Sequence, residues 1–219
     1  MSKESHSSQR ALQLERLIFF SDAVFAIAIT LLVIEIKVPA LHGAEATEAS
    51  LVHAVFLLLP KFLGFLVSFF LIGLYWTRHH FLFGFLTDFT PRLIWLNLLF
   101  LLSIVLMPFS TGIFGEYSTP QTLHLKTPLI IYVLNICFTG LMLYLLWDYV
   151  GKPGHGVADP SLDPAVVKAA KRRALVISLV FASIVPASFV NAWFARYIPI
   201  LLPITLRLTR GRQRPRKTE

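Results

Sequence analysis

Apolar residues fall into six long runs along this chain, at about 17–38, 51–76, 92–113, 127–150, 164–186 and 188–208, with short polar stretches between them. An α-helix needs roughly 20 predominantly apolar residues to cross the hydrocarbon core of a bilayer, and each run supplies about that length. The runs carry a few breaks. Pro39 stops the first helix, and Pro60 with Lys61 kinks the second or sets its start. Asn97 and Pro108 lie inside the third, and Pro199 and Pro203 interrupt the last. Arg78, His79 and His80 are expected in a short loop with Asp88. The segment GKPGHGVADPSLDP after the fourth run is the most loop-like of the connections. It ends in Asp163-Pro164, which predicts an N-cap followed by proline in the first helical turn. The pattern predicts an all-α integral membrane protein. Residues 1–15 form a polar arm, 16–208 one six-helix transmembrane domain, and 209–219 a basic tail.

Composition agrees with that class: 56% hydrophobic residues, 15% charged and a mean hydropathy of +0.69 exclude an ordinary soluble domain. The net charge of +8 raises nucleic acid as a partner, but its distribution points elsewhere. With both termini and the second and fourth loops in the cytoplasm, that side holds sixteen of the twenty Lys and Arg, all but Lys37, Lys61, Lys126 and Arg196. Such asymmetry is the positive-inside pattern, so both ends are expected to be cytoplasmic. The tail RLTRGRQRPRK then reads as a topogenic segment touching anionic lipid, and no nucleic-acid motif accompanies it. The single cysteine, Cys137, has no disulfide partner and no metal-ligand neighbours. The arm lacks the apolar core of a signal peptide, so the first helix is expected to be retained. No cofactor or metal site is expected.

The first run carries the candidate chemistry. Ser21 and Asp22 lie near its start and Thr30 near its middle. A carboxylate inside a spanning segment is costly and points to function unless it snorkels or is paired. At matching depth stand Arg16, His79, His80 and Asn97, which predicts an interhelical network around Asp22 locking the first helix to the second and third; either histidine suits it. Further on, Ile27, Thr30, Leu31 and Ile34 share one helical face. By periodicity alone that face suits lipid or a protein core as well as a pore. The Thr30 hydroxyl is also placed to bond back to the Ala26 carbonyl. Three classes remain open on the residues: a proton- or cation-coupled transporter using Asp22, a membrane scaffold and a channel. An enzyme finds little support, because His79, His80 and Asp22 form no His-Glu-x-x-His pattern.

The stretch RLIFFSDAVFAIAITLLVIEI resembles the first-helix signature of the endosomal–lysosomal potassium channel family and its prokaryotic relatives, Arg-x-x-x-Phe-Ser-Asp, here Arg16, Phe20, Ser21 and Asp22. YWTRHH at 75–80 and NAWFARYIPILLP at 191–203 are also similar to the family pattern, with Ala192 where proline is expected. The resemblance implies a potassium-permeable, potassium-selective channel without a Thr-Val-Gly-Tyr-Gly filter, and this chain has no such filter. It implies a pore lined by the first helix. Animal relatives carry two repeats per chain; with one repeat here, four copies would complete the pore as a homotetramer. Carried across by position, Ile27 is the narrow hydrophobic constriction, Thr30 the polar ring tied to potassium preference, and Leu31 and Ile34 the continuing wall. The implied partners are K+, further copies of the chain and membrane lipid, in a prokaryotic plasma membrane.

Overall fold

The computed structural model describes residues 2–43, 46–119, 121–191 and 195. Among them the chain is helical: α1 (Ser2–Leu31) tightening into a 3-10 turn (Leu32–Glu35), α2 (Glu48–Leu57), α3 (Leu59–Phe83), α4 (Pro91–Glu116), α5 (Thr127–Val150), α6 (Pro164–Ala182) and α7 (Ile184–Val190). Five stretches are long and apolar enough to cross a membrane: Ser8–Glu35, Leu59–Phe83, Pro91–Glu116, Thr127–Val150 and Pro164–Val190. The sixth expected run, 188–208, begins inside α7 and otherwise falls almost wholly outside the described residues.

The helix starts follow from side chains that satisfy orphan amides. Thr47 and Ser50 form a reciprocal capping box on α2. Thr90 accepts from Leu93 N (3.2 Å) with Pro91 in the first turn of α4. Asp163 accepts from Ala165 N (2.7 Å) ahead of Pro164, where the sequence predicts that cap.

Three boundaries differ from expectation. The polar arm is helical from Ser2, because it contains no glycine or proline and nothing interrupts propagation out of the membrane helix. The run at 51–76 is two helices. The break falls at Leu58, just before Pro60, whose missing N–H and fixed φ suit the first turn of a new helix. The span therefore runs Leu59–Phe83, and Arg78, His79 and His80 belong to the last turns of α3, not to a loop; Gly84 stands at its C-cap.

α4 is the centre of the bundle, with α1, α3 and α5 against it, and α6 packs on the far side of α5. Phe25, Ile72, Tyr75, Phe100, Ile104 and Met107 fill the interior between α1, α3 and α4; Ile136, Leu143, Ile177 and Phe181 fill that between α5 and α6. Gly140 lets α6 come close, since a Cβ there would lie 3.2 Å from the Ala174 carbonyl. On the loop side, Leu86 and Ala158 form an antiparallel bridge, flanked by Thr87 N–Val157 O (3.0 Å) and Asp159 N–Phe85 O (2.9 Å).

The first helix and its polar anchor

α1 has two unlike faces. Ser21, Phe25, Ala28 and Leu32 are buried against α3 and α4. Their spacings of four, three and four make one narrow stripe. On the other face, Phe20, Ala23, Ala26, Ile27, Thr30 and Ile34 are exposed, with Ile27 at 59% and Ile34 at 66%. Leu31 sits at the edge at 39%. The most apolar of the five spans is thus also the one least buried within the chain.

A directional chain of hydrogen bonds holds the buried stripe. His79 Nε2 donates to Asn97 Oδ1 (2.8 Å), Asn97 Nδ2 to Ser21 Oγ (2.9 Å), and Ser21 Oγ to the Leu17 carbonyl (2.9 Å). Each donor meets one acceptor, so His79 on α3 and Asn97 on α4 both fasten Ser21 of α1. The His79 ring is fixed as well. It stacks on Phe83 (3.9 Å between centroids) and Phe100 (5.3 Å), with Phe25 tilted at 5.5 Å.

Asp22 is fastened separately. Its Oδ1 accepts from Trp76 Nε1 of α3 at 2.9 Å, and the Trp76 ring lies 5.5 Å from that of His80. The expected network centred on Asp22 is therefore corrected: Ser21, His79 and Asn97 come together, and Asp22 binds the next turn of α3. The two neighbours point about 100° apart around the helix, so they cannot share one set of partners. Arg16 and His80 are exposed and make no hydrogen bond to either arrangement among the described residues, and Phe20 is half-exposed with no polar contact to make. Trp76 was missed by sequence reasoning, although it stands in YWTRHH three residues before the histidine that is used.

Further out, Thr30 Oγ1 donates to the carbonyls of Ala26 (3.0 Å) and Ile27 (2.8 Å). A hydroxyl whose proton points back into its own helix turns its lone pairs away from it, toward the uncovered face. A second buried polar seam, also missed, glues α3, α4 and α5: Thr111 Oγ1 donates to Ser68 Oγ (2.7 Å), which meets Tyr132 OH (2.9 Å). Among the described residues no group of three or more His, Cys, Asp or Glu is placed to hold a metal ion.

Residues 16–108, from Arg16 through most of α4, match the model of the endosomal/lysosomal potassium channel TMEM175. That segment carries every member of the anchor. A potassium channel of Streptomyces collinus is 34% identical over 174 residues, covering 79% of this chain and 81% of the relative. The chain belongs to the TMEM175 family. A second relative, a potassium channel of Chamaesiphon minutus, is 42% identical over 98 residues, 45% of this chain and 47% of its own length. The crystal structure of a lysosomal potassium-selective channel TMEM175 homologue from Chamaesiphon minutus superposes with a TM-score of 0.73 at 28% identity, over 91% of this chain and 99% of that one. The helical architecture is thus that of a TMEM175-family channel, and the family is one of ion channels, not enzymes.

Proposed function

We propose that this chain is a potassium-permeable, potassium-selective channel of a prokaryotic plasma membrane, in which four copies surround a pore lined by α1. The observation that carries the reading is the pairing of a firmly anchored face of α1 with an uncovered one. Residues 16–208 make the channel domain, the arm and tail extend it at either end, and both termini lie in the cytoplasm. Around the pore axis, Ile27 supplies the hydrophobic constriction, Leu31 and Ile34 continue the wall, and Thr30 presents hydroxyl oxygens. A ring of isoleucine side chains closes such a pore by excluding water, and a ring of hydroxyl oxygens replaces part of the hydration shell of a passing cation. The back-bonded proton of Thr30 favours this use, because a cation needs the lone pairs and not the proton.

The test is ion flux from proteoliposomes holding the purified protein. Potassium is loaded inside, a protonophore supplies the counter-current, and a pH-sensitive dye reports it. Potassium-driven flux, much weaker with sodium and absent from empty vesicles, is expected. Saturable flux coupled to a proton gradient would make the chain a transporter instead. No flux from folded tetramer would make it a scaffold.

A further inference from the structure

α2 is apolar on every side and covered on none. Leu51, Val52, Val55, Phe56 and Leu57 are all exposed, Phe56 at 61%, and no residue of the helix is buried. Its titratable side chains are Glu48 and His53 alone. Together with Leu59, the residues Glu48, Leu51, Val52, Val55 and Phe56 line an open groove of about 300 Å³. A helix that is apolar all round is stable where lipid or protein encloses it.

Charged groups place α2 outside the hydrocarbon. At the end of the bundle away from the polar anchor, Lys61 Nζ of α3 donates to Glu116 Oε2 of α4 (2.6 Å). Beside them the carboxylate of Glu35, which closes the 3-10 turn after α1, lies over Gly112 of α4. Three elements thus reach charge at one level. Along α3, seventeen residues separate Lys61 from Arg78, about 26 Å at the α-helical rise. That is close to the roughly 30 Å of a hydrocarbon core, so Lys61 marks its boundary. α2 lies beyond Lys61. The backbone stays right-handed helical through Leu58 (φ −81°, ψ −11°), so α2 carries on away from the span of α3 and does not fold back along it. Its far end is capped by the exposed side chains of Thr47 and Ser50, which suits water.

We propose that α2 docks on a second copy of this chain, whose apolar side chains fill its groove. Lipid tails end at the level of Lys61, so at α2 protein supplies the apolar surface. Residues 36–47 join α2 to α1, and α2 stands beyond α3, which packs beside α1. In a ring of copies with α1 toward the axis, that position borders the next copy, and a head-to-tail contact repeated around a ring closes on itself. The ring rests on the function proposed above; the need to cover α2 does not.

The test uses the full-length protein, purified and reconstituted at high dilution in phosphatidylcholine vesicles, with the photocrosslinker p-benzoylphenylalanine in place of Phe56. Irradiation is expected to join chains covalently. The same group in place of Leu179, on the exposed face of α6, is expected to join none. Val52→Asn/Phe56→Asn puts polar groups into the contact. In neutral detergent it is expected to raise the concentration of half-assembly about a hundredfold, read by native mass spectrometry. Because α2 buries nothing within its own chain, the variant is expected to keep the helix content of wild type by circular dichroism. Several results overturn the proposal: crosslinks to lipid alone, which would put α2 in the bilayer, crosslinks closed within one chain, no product, equal yield from the Leu179 position, or unchanged assembly of the Val52→Asn/Phe56→Asn variant. A covalent ladder that ends below four chains supports the docking and overturns only the number of copies. No flux is measured, so the outcome is independent of whether the chain conducts potassium.

Discussion

Replacing Asn97 by alanine tests the anchor of α1 where the geometry makes unequal demands on its partners. The Ser21 hydroxyl still donates to the Leu17 carbonyl, so Ser21 is left satisfied. His79 is not: its Nε2–H points into a space enclosed by Phe25, Phe83 and Phe100 and has lost its acceptor. An orphaned buried donor costs about 1–3 kcal/mol, and a lost hydrogen bond between membrane helices about 0.6 kcal/mol. Asn97→Ala is therefore expected to destabilise the folded chain by roughly 2–4 kcal/mol. His79→Phe separates the two contributions, since phenylalanine keeps the stacking on Phe83 and Phe100 and carries no donor. Alone it strands Asn97 Oδ1; in the double variant nothing is stranded on either side. A double-mutant cycle of reversible denaturant unfolding in mixed micelles is expected to show the double variant less damaged than the sum of the singles, by about 1–3 kcal/mol. Additivity within about 0.5 kcal/mol, or an Asn97→Ala protein as stable as wild type, refutes the bond chain as the anchor.

Other outcomes follow from the same geometry. Asp22→Asn keeps an oxygen that can accept from Trp76 Nε1, so its melting temperature is expected to stay near wild type, whereas Trp76→Phe, which strands the carboxylate, lowers it measurably in the same thermal melt. Ile27→Asn puts a polar group at the proposed constriction and is expected to raise potassium flux in the vesicle assay; unchanged flux removes Ile27 from the gate. Thr30→Val preserves shape and deletes the hydroxyl, so it is expected to reduce the potassium-to-sodium flux ratio while leaving the melting temperature near wild type, because that hydroxyl bonds only within its own helix among the described residues. Arg10→Ala breaks the 2.7 Å pair with Asp88 that ties the N-terminal extension of α1 to the α3–α4 loop; with Arg10 67% exposed, the expected change in unfolding free energy is at most about 1 kcal/mol.

Some of this was legible in the residues and some was not. Ser21, His79 and Asn97 stood out because each is a polar residue at similar depth in or beside an apolar run. That coincidence of depth survives in the fold. Asp22 stood out for the same reason, but depth says nothing of azimuth. Rotation by one residue sends its carboxylate to Trp76, whose indole reads in sequence as an interfacial aromatic like any other. The break at Leu58 was foreshadowed by Pro60, whereas the extension of α3 through His79 and His80 was hidden by the polarity of Arg78-His79-His80, which imitates a loop.

By itself the sequence determined the membrane class, the length and number of its apolar runs, the bias of positive charge and the family signature at Arg16–Asp22. These are properties of composition and local order, and a bilayer reads them directly as length, hydropathy and charge. Tertiary structure alone decided which face of α1 is anchored and which is bare, which histidine reaches Asn97, and that the pair closes on a serine 76 residues away. The physical reason lies in the solvent. Lipid tails are as apolar as a protein core, so a leucine facing either looks the same along the chain. Only the meeting of polar partners across helices breaks that degeneracy, and those meetings depend on the rotation and depth of helices packed together.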